Sequence, residues 1–302
     1  MNAPALGVAL TGHWLSLAQI LRLARRADEL GYAVVLVDGD TTLLPRRASA
    51  PIYDTAALTA RVLATTTSAR IGSIRLPGFW NTALLARNLL TLQQASHGRA
   101  LGFLGAGAGR HASRLGMPQL SPRARVERLE ETLDALRPLL AGEEVTRNGR
   151  YVQLERAFVG RPSEPIPLVV AAAGPRALSV AERYADVWDA NVPPLRERLE
   201  PLREQLTRAL ETWIWVFARP GAPLEAVASA YRRHCPWFGE LPEKSLAEAV
   251  LWGEPERCRE RLAALTDALG VSLPILDLTA LDERAALVAL EALAPAKAAN
   301  IS

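Results

Sequence analysis

Short apolar runs without polar alternation punctuate the chain. Ala5 to Leu10, Ala33 to Val37, Arg70 to Leu76 and Ala100 to Leu104 are four of them. Leu168 to Ala172, Asp186 to Ala190, Thr212 to Ala218 and Leu273 to Leu278 are four more. Parallel strands covered on both faces read this way, because neither face meets water. Between the runs, apolar residues recur at helical spacing instead. Ser16 precedes one such segment, which stops at Gly31; Asp54 precedes another. Ser121-Pro122 opens a long one to Leu140, one spans Leu195 to Leu210, and Asp282 opens the last. Side chains of the Ser and Asp type accept from the free amides of a helix start, and Gly suits a helix end. The pattern changes over Glu144 to Val159, which alternates around Asn148-Gly149 and predicts a hairpin. His234 to Gly253 is rich in aromatic residues and predicts no regular element before the helix at Glu254-Pro255.

Eight strand–helix units in 302 residues predict a parallel sheet under helical cover. At this length they favour a single α/β domain over 1–302, a (β/α)8 TIM barrel with the hairpin as a small excursion after strand 4. An open doubly wound sheet is the rival. The first turn, Thr11-Gly12-His13-Trp14, weighs against it, because it lacks the glycines of a dinucleotide fingerprint.

Composition narrows the class. The chain is 49% hydrophobic and 22% charged, enough for a sizeable core. Its net charge of +3 comes largely from Arg set beside Glu along helices, which reads as solvated faces rather than a nucleic-acid surface. Cys235 and Cys258 suggest neither a disulfide framework nor a metal site. The opening MNAPALGVALTG does not read as a signal peptide, and no uncharged apolar run reaches membrane-spanning length. The expectation is a cytoplasmic protein with no membrane, nucleic-acid or metal partner.

In a barrel, ligands bind at the carboxyl ends of the strands. Two such ends stand out. Strand 4 carries Gly102, Gly105, Gly107 and Gly109 and then Arg110; strand 5 meets Ala172-Ala173-Gly174 and then Pro175-Arg176. Glycine lets backbone approach a ligand, and a helix start offers amides and a positive dipole end to a phosphate. These turns read as the seat of a phosphorylated cofactor. Among the other strand-end residues, His13 can exchange a proton or simply sit in its loop. Asp38 and Asp40 can orient a donor or cap the loop that follows. Trp80 and Trp188 can line a water-poor mouth or pack the core. Arg75 can face the ligand or Asp38, and Arg110 and Arg176 can bind phosphate or lie on the surface. His111 is a further phosphate candidate.

Several segments then follow a known order. They are ARRADELGY at 24–32, TSARIGS at 67–73, LLARNLLTLQQASHGRALGFLGAGAG at 84–109, RARVERLEETLDALRPLL at 123–140 and AAAGPRALSVAERYADVW at 171–188. Together they resemble the bacterial luciferase-like flavin-dependent monooxygenase family over nearly the whole chain, most weakly between Val192 and Gly253. The resemblance implies an (α/β)8 barrel that uses reduced FMN and O2 on a small organic substrate, with a separate reductase supplying the flavin. It implies a phosphate near Gly105, Gly107 and Arg110 and near Ala172, Ala173, Gly174 and Arg176. It also implies a non-proline cis peptide under the flavin ring, at Ser73–Ile74 or Ile74–Arg75. His13, Asp38 and Trp80 are the catalytic candidates by strand-end position. Two departures matter. Many relatives end strand 2 with Asp-His, whereas this chain has Asp38-Gly39-Asp40. Relatives that use a deazaflavin often carry Glu after the strand-4 glycines; Ala108-Gly109-Arg110 stands here, which favours FMN. A deazaflavin-dependent oxidoreductase moving hydride without O2, and a flavin-binding barrel without catalysis, stay open. Dimers are common in the family, and the Ala- and Leu-rich faces at 55–66 and 82–95 suit a homodimer.

Overall fold

A computed structural model describes residues 5–10, 13–40, 51–107, 113–235 and 240–295. The first four predicted strands form as β1 (Gly7–Leu10), β2 (Val34–Val37), β3 (Arg70–Arg75) and β4 (Gly102–Gly105). The excursion is the antiparallel hairpin β5 (Val145–Asn148) and β6 (Gln153–Ala157). The ring resumes with β7 (Leu168–Ala171), β8 (Val187–Asp189) and β9 (Glu211–Pro220). Beyond it come β10 (Val250–Gly253) and β11 (Leu273–Asp277). Strands β1, β2, β3, β4, β7, β8, β9 and β11 pair in that order, all parallel, and β11 returns to β1. The eight predicted strands therefore close a (β/α)8 barrel.

The helices begin where their caps predict. Ser16 accepts from Gln19 N–H and starts α1 (Leu17–Glu29). Asp54 starts α2 (Thr55–Leu63) and Asn81 starts α3 (Thr82–Ala95). Ser121 starts α4 (Pro122–Leu140). Next come α5 (Pro175–Tyr184), which no side chain caps, and α6 (Arg196–Arg203). The predicted helix to Leu210 thus stops early, because Glu182 on α5 draws the amides of Thr207 and Arg208 out of helical pairing. Then follow α7 (Leu224–His234), α8 (Glu243–Ala249), α9 (Pro255–Leu269) and α10 (Glu283–Ala292). Helix α8 and strand β10 correct the expectation of an irregular 234–253. Strand β10 pairs with Phe217 to Pro220, on the edge of β9 opposite β11, beyond the point where β8 has left it.

Alternation along the ring strands sorts side chains into two layers. Val34, Leu36, Leu101, Phe103, Val169, Val187, Trp213, Leu273 and Ile275 pack inside the barrel. Phe103 and Trp213 meet edge to face at 6.4 Å and fill its bore. The larger cluster, including Val35, Ile71, Leu104, Val170 and Trp188, lies between strands and helices. Glu131 on α4 fastens the hairpin by accepting from the amides of Tyr151 at 2.8 Å and Val152 at 3.0 Å. Among the described residues, no helix is long and apolar enough to cross a membrane.

Candidate functional site

At the carboxyl ends of the ring strands, three polar groups collect. His13, past β1, brings Nδ1 to 3.7 Å from Asp38 Oδ2 at the end of β2, and both side chains are largely buried. Asp189 closes β8. Val187 belongs to the inner layer and Trp188 to the outer, so alternation turns Asp189 inward. It accepts from Trp215 Nε1 at 3.1 Å and is 1% exposed. Burial pushes its carboxyl up to about 7, outweighing the Trp215 and Asn191 N–H donors that favour the anion. The third group is Asp277, at the end of β11. It accepts from Cys235 at 3.6 Å and from Thr279 N–H at 2.8 Å. Arg219 donates to the Asp277 backbone carbonyl, and its guanidinium lies over the Phe217 ring at 3.9 Å. Burial pulls Arg219 down to about 10 and raises Cys235, which leaves that thiol protonated and inert.

The residues after β3 do something else. Arg75 is 1% exposed and lies over the Trp80 ring at 5.0 Å. Asp40 accepts from Trp80 Nε1 and from Leu76 N–H, and its own N–H donates to Ile74 at 2.9 Å. Burial brings Arg75 down to about 10, with Asp40 and Asp54 opposing the shift. Arg75 thus packs into the outer layer beside Thr59, facing neither Asp38 nor the barrel interior. Ser73, 2% exposed, shares a 2.8 Å hydrogen bond with Thr59 there. Ile74 alone of this trio packs on the inner cluster. The described peptide bonds are all trans, so the cis bond expected at Ser73–Ile74 or Ile74–Arg75 is not formed. The strand keeps register through it, with Ile74 paired to Phe103 and Arg75 to Leu104.

The two glycine turns also differ. A Cβ on Gly105 would make ordinary contacts with Ala171 and Ile74 at 3.5 Å, so this wall is merely small. Gly107 has φ +69 and would drive a Cβ to 2.9 Å from Leu76, so its glycine serves the turn. Gly174 opens α5 with nothing within 4 Å of a Cβ and no capping side chain. Ala172 is buried and donates its N–H to the Asp189 carbonyl at 3.0 Å, while Ala173 is exposed. Arg176 is exposed and reaches Glu127 at 3.9 Å. Arg110 and His111 lie outside the described residues. Trp188 is a correction: it is fully buried in the outer layer and donates to the Ala172 carbonyl at 2.8 Å, away from the mouth.

The site therefore unites His13, Asp38, Ile74, Gly105 and Gly174 from the predicted set. It sets Ser73, Arg75 and Trp188 behind the wall, and Trp80 at its margin. It adds Asp189, Trp215 and Asp277, which sequence reasoning passed over. The signal for Asp189 was its place, a carboxylate closing an apolar strand.

With this geometry in view, residues 3–235 match the luciferase-like monooxygenase family, and the chain belongs to it. The chain is 30% identical over 162 residues to the F420-dependent glucose-6-phosphate dehydrogenase of Kineococcus radiotolerans. That match spans 48% of each chain, about half the relative's length. Among solved structures, it resembles an F420-dependent secondary alcohol dehydrogenase at TM-score 0.81 and 18% identity, over 97% of this chain and 99% of that one. It also resembles the EDTA monooxygenase of Chelativorans sp. BNC1 at TM-score 0.76 and 13% identity, over 97% and 93%. These two likenesses concern the fold.

Proposed function

We propose that the chain is an oxidoreductase holding a deazaflavin coenzyme at the barrel mouth and moving hydride between it and a small alcohol or carbonyl compound. One observation carries this reading: the uncapped, open start of α5 at Gly174 lies on the same rim as the His13–Asp38 pair. The residues fit such a group. Unpaired first-turn amides suit a phosphate, and the small wall at Gly105 and Ala171 leaves room beside it. The F420 dependence of the K. radiotolerans relative favours the deazaflavin.

When bound, the coenzyme supplies the hydride acceptor or donor. His13 takes the proton that a substrate hydroxyl loses, or returns it, while Asp38 orients the ring. Asp189 presents a neutral carboxyl to the interior below about pH 7. Trp213, Trp215 and Ile74 keep water from the floor.

A second reading is the monooxygenase using reduced FMN from a separate reductase and O2. The sequence Ala108-Gly109-Arg110 favours it, standing where deazaflavin users often carry Glu. Anaerobic titration with FMN, reduced FMN and the deazaflavin separates the two. The expected outcome is tightest binding of the deazaflavin, and an alcohol-dependent bleaching of its visible band. His13→Ala should slow that bleaching by roughly 10²–10⁴-fold with little change in coenzyme affinity. Binding of reduced FMN alone, with substrate-dependent O2 uptake, selects the second reading. Binding of none of the three sinks both.

A further inference from the structure

Just past the end of β3, the turn at Pro77–Phe79, helix α4 and the excursion hairpin enclose a pocket of about 140 Å³. Arg128 and Thr132 from α4 line one wall, Tyr151 and Gln153 from the hairpin another, and Gly78 and Trp80 the third. Arg128 lies with its guanidinium 5.1 Å from the Tyr151 ring centroid. A Cβ on Gly78 would come 3.1 Å from Arg128 Nη1, so the cation sits close against the turn's backbone. Among the described residues Arg128 forms no ion pair. Glu131, one turn along α4, is the neighbouring carboxylate, and its oxygens are committed to the hairpin amides. The Tyr151 hydroxyl is shut off from solvent without a hydrogen-bond partner among the described residues. The orphaned Tyr151 hydroxyl is costly unless something completes it, and the Arg128 guanidinium beside its ring has no counter-charge among the described residues.

We propose that this pocket is a site for a small oxyanion of the carboxylate or phosphate type. The anion is held by the Arg128 guanidinium and the Tyr151 hydroxyl. A volume of 140 Å³ admits a group of a few heavy atoms and excludes a whole coenzyme. Trp80 joins the two places: it lines the pocket, while its indole N–H holds Asp40 and its ring underlies Arg75. Occupancy therefore reads out as a change in tryptophan emission.

The test is calorimetric titration of the full chain with inorganic phosphate, and separately with acetate, at constant ionic strength. The expected result is one saturable site. Arg128→Gln weakens it by roughly tenfold or more and Tyr151→Phe by about threefold, as loss of a charged and a neutral hydrogen bond predicts. Arg284→Gln, the same charge change at an exposed position on α10, stays within about twofold, since screening removes distant charge effects. Saturable binding of only one of the two anions supports the site and names its type. No saturable binding by either, or an equal loss in Arg284→Gln, overturns the proposal. If circular dichroism shows Arg128→Gln misfolded, Tyr151→Phe decides. It keeps the charge and the ring and removes only the hydroxyl, so it should weaken binding; unchanged affinity there also overturns the proposal.

Discussion

Past β3 the rim is tied down, whereas past β7 it is bare. On the β3 side, Asp40 gathers the Leu76 amide and the Trp80 indole, and Arg75 fills the space behind them. Gly39 is pressed so near the Ile74 carbonyl that a Cβ would run into it. On the β7 side, small residues lead to a helix start that no side chain covers, and on the adjoining β8 the Asp189 carboxyl, held by Trp215, sits on the inner wall. Both sides carry the glycines and charged groups that suggest a ligand. What separates them is whether a side chain already covers the rim amides: Asp40 accepts from the Leu76 N–H, and nothing caps the first turn of α5. A partnered cluster at a strand end holds shape; an unpartnered one is free to meet something else.

Four substitutions break or sharpen that contrast. The largest effect belongs to Asp189. Its carboxyl is raised to about 7 by burial, so its contribution to stability is full below its unfolded pKa and is lost as pH rises through the folded one. The wild type should lose up to about 4 kcal/mol from this group between pH 4 and pH 8. Asp189→Asn should remove that loss, and urea melts at the two pH values check it; parallel pH profiles would refute it. Asp40→Ala comes next. It leaves the Leu76 N–H and the Trp80 indole N–H without their acceptor and removes a carboxylate that favours the Arg75 cation, and chemical denaturation should register about 3 kcal/mol. A drop below about 1 kcal/mol, the range of a surface pair, would mean the cluster holds nothing. Gly39→Ala should cost about 2 kcal/mol, because backbone rather than a flexible side chain must yield. Gly174→Ala is the smallest, within about 0.5 kcal/mol, as its φ of −118 and open surroundings accept a methyl. A large loss of stability there would show that the bare rim is structural after all.

Much of the fold was legible because buried parallel strands announce themselves as apolar runs, and Asn148-Gly149 announces a hairpin turn. The caps Ser16, Asp54, Ser121 and Asp282 likewise fell where helices begin. Strand β10 was not legible. Val250 to Gly253 is a four-residue segment whose only strand partner among the described residues is the far end of β9, and no local period marks such a pairing. At the site, position along a strand was readable but facing was not. A barrel strand is apolar on both sides, so Trp188 and Arg75 look like mouth residues until alternation is counted from a known inner neighbour. That count turns both outward, and the same count turns Asp189 in.

The ring closes through β8 and β9 before β10 joins, so β10 pairs only where β9 runs on past the closed circuit, while α7 is tied to the ring through Cys235 and Asp277. The β10 segment can therefore change while the eight-membered circuit stays intact. Divergence among paralogues has an inexpensive place to accumulate here, above the opening and outside the staves that hold it.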